Sequence, residues 1–438
     1  MYPSPLFFPQ DLITEVLSVL NVKSILRFRC VSKFWDALIS DPTFVKLHLK
    51  RSAKRNAQFI LITGHSKHIR GESPYGSDDE CEHEWGVIPY SISSLVDNPS
   101  FNLSVDSYQL VEDKGCSRIV GSCNGLICLA GDYLIREYKD HWLRLWNPAT
   151  RTTSPKFGCV REFRNPLDIF AYDRRYKYTF GWDESTDTYK VVASEFKEPE
   201  MRSNVRILSL ADNVWRKIES FPVEPMGSDL SMDSGYDGMY LKSTINWLAI
   251  RDKLWYIGDD YKNINVEQFV IVSLDLRTET YNQYLLPRDF DEVPPAQPTV
   301  SVLGDCLCFS YCYKETDFVI WKMENFGVDD SWIQFLKISY YSLQIDYDYS
   351  DEYIKYHLNF VPLFLSKDGD TLVLDCSQEY PDIIYNWRNN KVVRTNINVR
   401  KTVTDGQTYD SVSCSANGYF ESLVSGVVGG IQSFENKS

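Results

Sequence analysis

The chain has 438 residues, 43% hydrophobic and 24% charged, the balance of a folded protein long enough for two domains. Its formal net charge of −14 argues against polyanionic partners, so neither nucleic acid nor an anionic membrane surface is expected to bind it. Eleven cysteines, an odd number scattered among strand-like residues such as Cys306 and Cys308, point to a reducing compartment, hence cytoplasm and/or nucleus.

Residues 1–11 lack the charged and apolar regions of a secretory leader, and no run approaches eighteen apolar residues, so no membrane span is expected. Residues 1–60 hold about nine Lys and Arg against about four Asp and Glu, which predicts an acidic partner for this end. Within it, Leu12, Ile13, Val16, Leu17 and Leu20 share one helical face, and Pro9 stands just upstream, where its missing N–H does no harm. A second stripe runs from Val22 through Ile25, Leu26 and Cys30. A third takes Phe34, Trp35, Leu38 and Ile39, with Ser32 placed as its N-cap, and Asp41-Pro42 starts a fresh turn into Phe44, Val45 and Leu49. Three short helices cannot enclose so many large apolar side chains, so some of that surface must face the next domain or another protein.

From about residue 58 the helical period gives way to short runs rich in Val, Ile, Leu, Tyr and Trp between Gly, Asn, Asp and Pro turns. A unit of strand, variable loop, strand, tight turn and aromatic-bearing strand recurs five times, at residues 125–150, 189–215, 245–281, 306–332 and 370–393. The tail Tyr419–Val424 is expected to pair with segments near 58–63 and 108–120 as a closing sixth blade. Radial closure, which leaves few sheet edges exposed, favours a β-propeller of about six blades, with a two-sheet β-sandwich as the alternative.

The string from Phe8-Pro9 through Val22 to Trp35, then Leu38-Ile-Ser-Asp-Pro42 and Phe44, closely resembles the F-box of plant F-box proteins. It departs at Phe8, where Leu is usual, and at Asn21, where many members carry Pro. The resemblance implies docking onto the acidic Skp-type adaptor of an SCF ubiquitin ligase, and through it a cullin. The residues implied are Phe8, Pro9, Leu12, Ile13, Val16, Leu17, Ile25, Leu26, Val31, Ser32, Lys33 and Trp35. Further along, Gly121-Ser-Cys-Asn-Gly125, Leu145-Trp-Asn-Pro-Ala-Thr150, Asp187-Thr-Tyr-Lys-Val-Val192, Gly327-Val-Asp-Asp-Ser-Trp332 and Glu421-Ser-Leu-Val424 resemble the kelch-like F-box-associated domain, in a broad group that includes S-locus F-box proteins. The expectation is an α+β multidomain chain: a three-helix F-box over 1–50, then an all-β domain over 51–438. It implies a non-catalytic substrate receptor that captures an unidentified target protein for ubiquitination. A scaffold outside the ligase and a propeller enzyme with a helical extension remain open.

No nucleophile elbow, phosphate loop, H-E-x-x-H or C-x-x-C occurs, and only six histidines are present, so no catalytic residue, cofactor or metal is expected. His65, His68, Cys81 and His83 are of types that suit zinc, yet their segment has the polar, acidic composition of a flexible loop. Recognition is expected in the long connections 64–86, 161–179, 286–298 and 340–356. In the last, Tyr347, Tyr349 and Tyr353 with Asp346, Asp348 and Asp351 offer aromatic anchors in a negative field, suited to a basic protein surface; an edge strand kept soluble by charge is the alternative.

Overall fold

The computed structural model describes residues 9–55, 60–69, 87–91, 116–135, 138–163, 176–197, 202–226, 238–251, 264–345, 359–376, 383–394, 408–415 and 419–425. The head holds four helices rather than three: α1 (Gln10–Leu17), α2 (Val22–Arg29), α3 (Lys33–Ser40) and α4 (Pro42–Arg55). Capping explains the three later starts. The Asn21 side chain accepts the Ser24 N–H at 2.8 Å, Ser32 accepts that of Trp35 at 3.3 Å, and Asp41 accepts that of Thr43 at 2.7 Å. Asn21, the departure from the usual proline, thus supplies a cap of its own. What reads as one fresh turn after Pro42 is a fourteen-residue helix that passes residue 50. Arg51 on it reaches back to α1, its guanidinium 2.6 Å from the Glu15 carboxylate. Leu17, Val22, Ile25, Leu38, Ile39 and Phe44 form the head's core.

Two strands, β1 (Ile60–Ile69) and β2 (Val87–Ser91), come next in the chain. The first blade is β3 (Cys116–Cys123), β4 (Leu126–Ile135), β5 (Tyr138–Asn147) and β6 (Thr152–Thr153), with β7 (Phe157–Phe163) also pairing β5. The second is β8 (Lys177–Asp183), β9 (Thr188–Lys197), β10 (Arg202–Ser209) and β11 (Val214–Lys217). The third is β12 (Met239–Leu241), β13 (Thr244–Ile250), β14 (Phe269–Asp275) and β15 (Thr280–Tyr284). The fourth is β16 (Thr299–Leu303), β17 (Cys306–Tyr313), β18 (Asp317–Met323) and β19 (Trp332–Ser339). The fifth is β20 (Phe360–Leu365), β21 (Thr371–Cys376), β22 (Ile383–Asn386) and β23 (Lys391–Arg394). A final strand, β24 (Thr408–Ser415), pairs β1, so β2, β1 and β24 make a sixth sheet from the two ends of the domain.

Every blade is an antiparallel meander, and the first strands lie side by side in series: β3 with β8, β8 with β12, β12 with β16, β16 with β20. That radial order is a propeller and not two sheets face to face. Three sequence expectations are corrected. Residues 161–179 are not one loop, because β7 and β8 occupy its ends; residues 64–69 belong to β1; and β24, not the 419–424 tail, pairs with β1. The tail has no strand pairing and 116–120 is the inner edge of the first blade, because each run finds its backbone partners elsewhere.

Meander geometry gives the propeller two unlike ends. Strands one to two and three to four are joined at one end, mostly by tight turns (324–331 in the fourth blade is longer), several of them closing on a residue in the left-handed region: Gly125 (φ +76°), Arg151 (+57°), Asp187 (+52°), Asn213 (+56°), Glu279 (+58°) and Asn390 (+50°). Links from strand two to strand three, and from blade to blade, leave from the other end. Leu286–Pro298 is one of these, and Phe290 ties it down against Phe269, Phe309 and Tyr311 at centroid distances of 5.6, 5.1 and 4.9 Å.

Candidate partner-binding surfaces

Packing divides the helical stripes into two sets. Leu17 and Ile25 are buried in the head's core, while Ile13, Leu26 and Trp35 pack half-buried against it. Leu12, Val16, Val31 and Phe34 stand outside at 54%, 62%, 65% and 51% exposure, a large apolar area left to water. Pro9, Ser32 and Lys33 are exposed among them, and Phe8 lies outside the described residues. Trp35 stacks on Phe28 at 5.3 Å and meets Phe34 edge-on at 6.5 Å, so this aromatic group is held in place before any partner arrives.

The head sits on the tight-turn end of the first two blades, and residues 419–424 run through the junction. Tyr419 is buried among Cys116, Ile127, Leu129, Trp142 and Trp146 of the first blade, and its hydroxyl donates to Asn147 Oδ1 at 3.3 Å. The fully buried Asn147 amide donates to the carbonyls of Ser422 at 3.0 Å and Val424 at 2.6 Å. Its Oδ1 also accepts the N–H groups of Ala149 and Thr150, holding its own turn. Ser422 Oγ donates to the Asn124 carbonyl at 2.8 Å. Beside it, a Cβ on Gly125 would come within 2.8 Å of the Phe420 carbonyl and closer still to Ser422, so this turn has no room for a side chain. Leu423 turns the other way, into the head's core with Leu17, Val22 and Ile25. Ala149 packs against the same cluster, Lys46 pairs with Asp187, and Lys23 lies close enough to the Glu421 carboxylate to act on it.

Between the second and third blades lies a buried ionic knot. Lys190 Nζ is 3.0 Å from Asp183 Oδ2, 3.0 Å from Glu279 Oε1 and 2.6 Å from the Leu276 carbonyl; Arg216 also pairs with Glu279 at 3.0 Å. Burial pushes the Asp183 carboxyl up, but hydrogen bonds from Ser185, Thr186 and Lys190, with the Lys190 charge, outweigh it and hold it at about 2. Burial drives the thiols of Cys308 and Cys312 up, to about 12 and about 11, which makes them small apolar fillers and not nucleophiles.

All six target-binding candidates, Asp346, Tyr347, Asp348, Tyr349, Asp351 and Tyr353, lie outside the described residues. The start of their segment is a turn that buries Tyr340, Leu343 and Ile345 and leaves Tyr341 92% exposed. Residues 70–86 are also outside, with Cys81 and His83; His65 and His68 are on β1. Among the described residues no three His, Cys, Asp or Glu side chains group as a metal site. The junction residues Asn147 and Leu423 are the ones sequence reasoning missed. Both belong to strings that mark the family resemblance, but no spacing signals that they meet.

Two family models match the chain, the F-box associated beta propeller domain over residues 88–405 and the F-box domain over 6–47. Similar proteins include an F-box/kelch-repeat protein of Arabidopsis thaliana, 27% identical over 344 residues that span 76% of this chain and 80% of the relative. F-box protein CPR1 of the same plant is 24% identical over 389 residues, 84% of this chain and 79% of its own. Among solved structures, the β-propeller domain of the Trilobed protease from Pyrococcus furiosus aligns over 68% of this chain and 79% of its own, at a TM-score of 0.33 and 9% identity.

Proposed function

Since the chain belongs to the F-box proteins that carry an F-box associated beta propeller domain, we propose that it is the substrate-recognition subunit of an SCF-type ubiquitin ligase. The head docks on a Skp-type adaptor and, through it, a cullin; the propeller holds the target protein; the chain itself catalyses nothing. One observation carries this reading. The head already has a closed core, yet Leu12, Val16, Val31 and Phe34 remain outside it. Each is already about half covered, so burying the rest of such a side chain is worth roughly 1–2 kcal/mol, a substantial part of an interface for the four together. The basic excess of residues 1–60 suits an acidic adaptor. The cytoplasm and/or nucleus is where such a complex would act.

The four exposed residues also make the cleaner test, because substituting them leaves the core intact. Leu12→Glu with Phe34→Glu is expected to abolish co-purification of the adaptor and cullin while circular dichroism and melting stay as in the parent. Undiminished recovery rejects the docking assignment, and recovery of adaptor without cullin from the parent rejects membership of a ligase. For the target, the proposal is that Tyr347, Tyr349 and Tyr353 with Asp346, Asp348 and Asp351 contact a basic protein surface. Replacing 346–353 with Gly and Ser should lose the target and keep the adaptor; retention of the target moves recognition elsewhere.

A further inference from the structure

We infer that Tyr419–Val424 is a clip that fixes the helical head on the tight-turn end of the first blade, so that head and propeller turn as one body. The inference is independent of what the head docks on, since it rests only on contacts within this chain. A flexible tether between head and propeller would leave the two surfaces polar and apart. Here one six-residue segment belongs to both. Tyr419 is packed in the first blade, Ser422 and Val424 are hydrogen-bonded to Asn147 from below, and Leu423 completes the head's core at 9% exposure. Beside that rivet Lys46 pairs with Asp187 across the junction, and the Lys23 charge acts on the Glu421 carboxylate with the opposite sign. An apolar anchor with an ion pair set to one side of it resists both separation and rotation, which a single contact would not.

The clip has a directional consequence. The head occupies the end of the propeller where the tight turns lie, at Asn124-Gly125, Asn147–Arg151 and Asp187. The strand-two to strand-three links and the blade-to-blade links depart from the opposite end, as the flanking residues Lys197, Arg202 and Leu286–Pro298 show. Leu423 and its partners are therefore positioning residues: they set the direction in which anything held at the far end faces relative to anything held by the head.

Zero-length carbodiimide coupling on the full chain tests this, because it joins an amine to a carboxylate only when they are already paired. Lys46 and Asp187 should couple across the junction, with Lys337 and Asp317, 3.6 Å apart within the fourth blade, as an internal standard. Leu423→Asp should reduce the Lys46–Asp187 product at least tenfold and leave the Lys337–Asp317 product unchanged, whereas Leu423→Met should keep both. Parental yield of the junction product in Leu423→Asp, with the standard intact, overturns the clip. If that variant loses the standard as well, nitrogen-15 relaxation on the unmodified chain decides. Amides of α2 and α3 must show the correlation time of the blades, and a several-fold shorter one overturns the inference.

Discussion

Lys190→Met removes one charge from the knot between the second and third blades and keeps nearly the same side-chain length. The substitution leaves Asp183, whose side chain is fully buried, with hydrogen bonds from Ser185 and Thr186 but without its ion-pair partner; Glu279 keeps Arg216. Breaking a buried pair from one side costs about 3–5 kcal/mol, because the remaining charge has neither partner nor water. Unfolding entropy near the melting point is about 2.1 cal/mol/K per residue, or roughly 0.8 kcal/mol/K over the ~390 residues after the head, so the melting temperature should drop by about 4–6 °C. Asp183→Asn combined with Lys190→Met removes both charges and should recover at least half of that loss. Thermal melts followed by tryptophan fluorescence at pH 7 make the comparison. A single variant melting within a degree of the parent, or a double variant no better than the single, refutes the assignment of this contact as a charge-dependent staple.

The same aspartate makes a pH prediction. Held at about 2 when folded and near 3.8 when unfolded, Asp183 contributes about 2 kcal/mol that is fully present above pH ~4 and is lost as pH falls through about 2. The stability gap between parent and Asp183→Asn should shrink by that amount between pH 5 and pH 2, and a constant gap in urea titrations contradicts it. Phe290→Ala should cost about 3–5 kcal/mol, since the ring is 4% exposed and meets three aromatics; a neutral result in thermal melts means that Leu286–Pro298 is not anchored as described. Gly125→Ala, at φ +76° with the tail's backbone behind it, should raise proteolysis after Tyr419 several-fold and lower the melting temperature. Ser32→Ala should destabilise the head by about 1 kcal/mol through loss of the Trp35 cap, read as faster hydrogen exchange in α3 with the blades unchanged.

How far the sequence could be read depended on how many residues each element uses to bury itself. The second and third strands of most blades are long apolar runs, as in Thr244–Ile250 and Phe269–Asp275, which are buried along their whole length, so the run itself and the turn residues around it mark them well. Inner strands such as Met239–Leu241 are too short to show a period, and the start of Lys177–Asp183 falls inside the apparent loop 161–179. In the head, periodicity showed which residues share a helical face. It could not separate Leu17 and Ile25, which are covered, from Leu12 and Val16, which are not, because the covering comes from Phe44 on α4 and from Leu423, nearly the whole chain away. Asn147 presents the same difficulty: an Asn-Pro pair announces a turn, and nothing local says that its amide will hold the backbone 275 positions later.

Synthesis meets the junction in an awkward order. Leaving the ribosome at roughly 5–20 residues per second, the chain needs roughly 20–75 s to pass from Phe44 to Leu423. Throughout that time the nascent head lacks the leucine that closes its core, and the apolar hollow lined by Leu17, Val22 and Ile25 is open to any chaperone nearby. A shortened translation product that stops within the fifth blade would carry every helix of the head and none of the clip. The head is made before the blades and finished only after them.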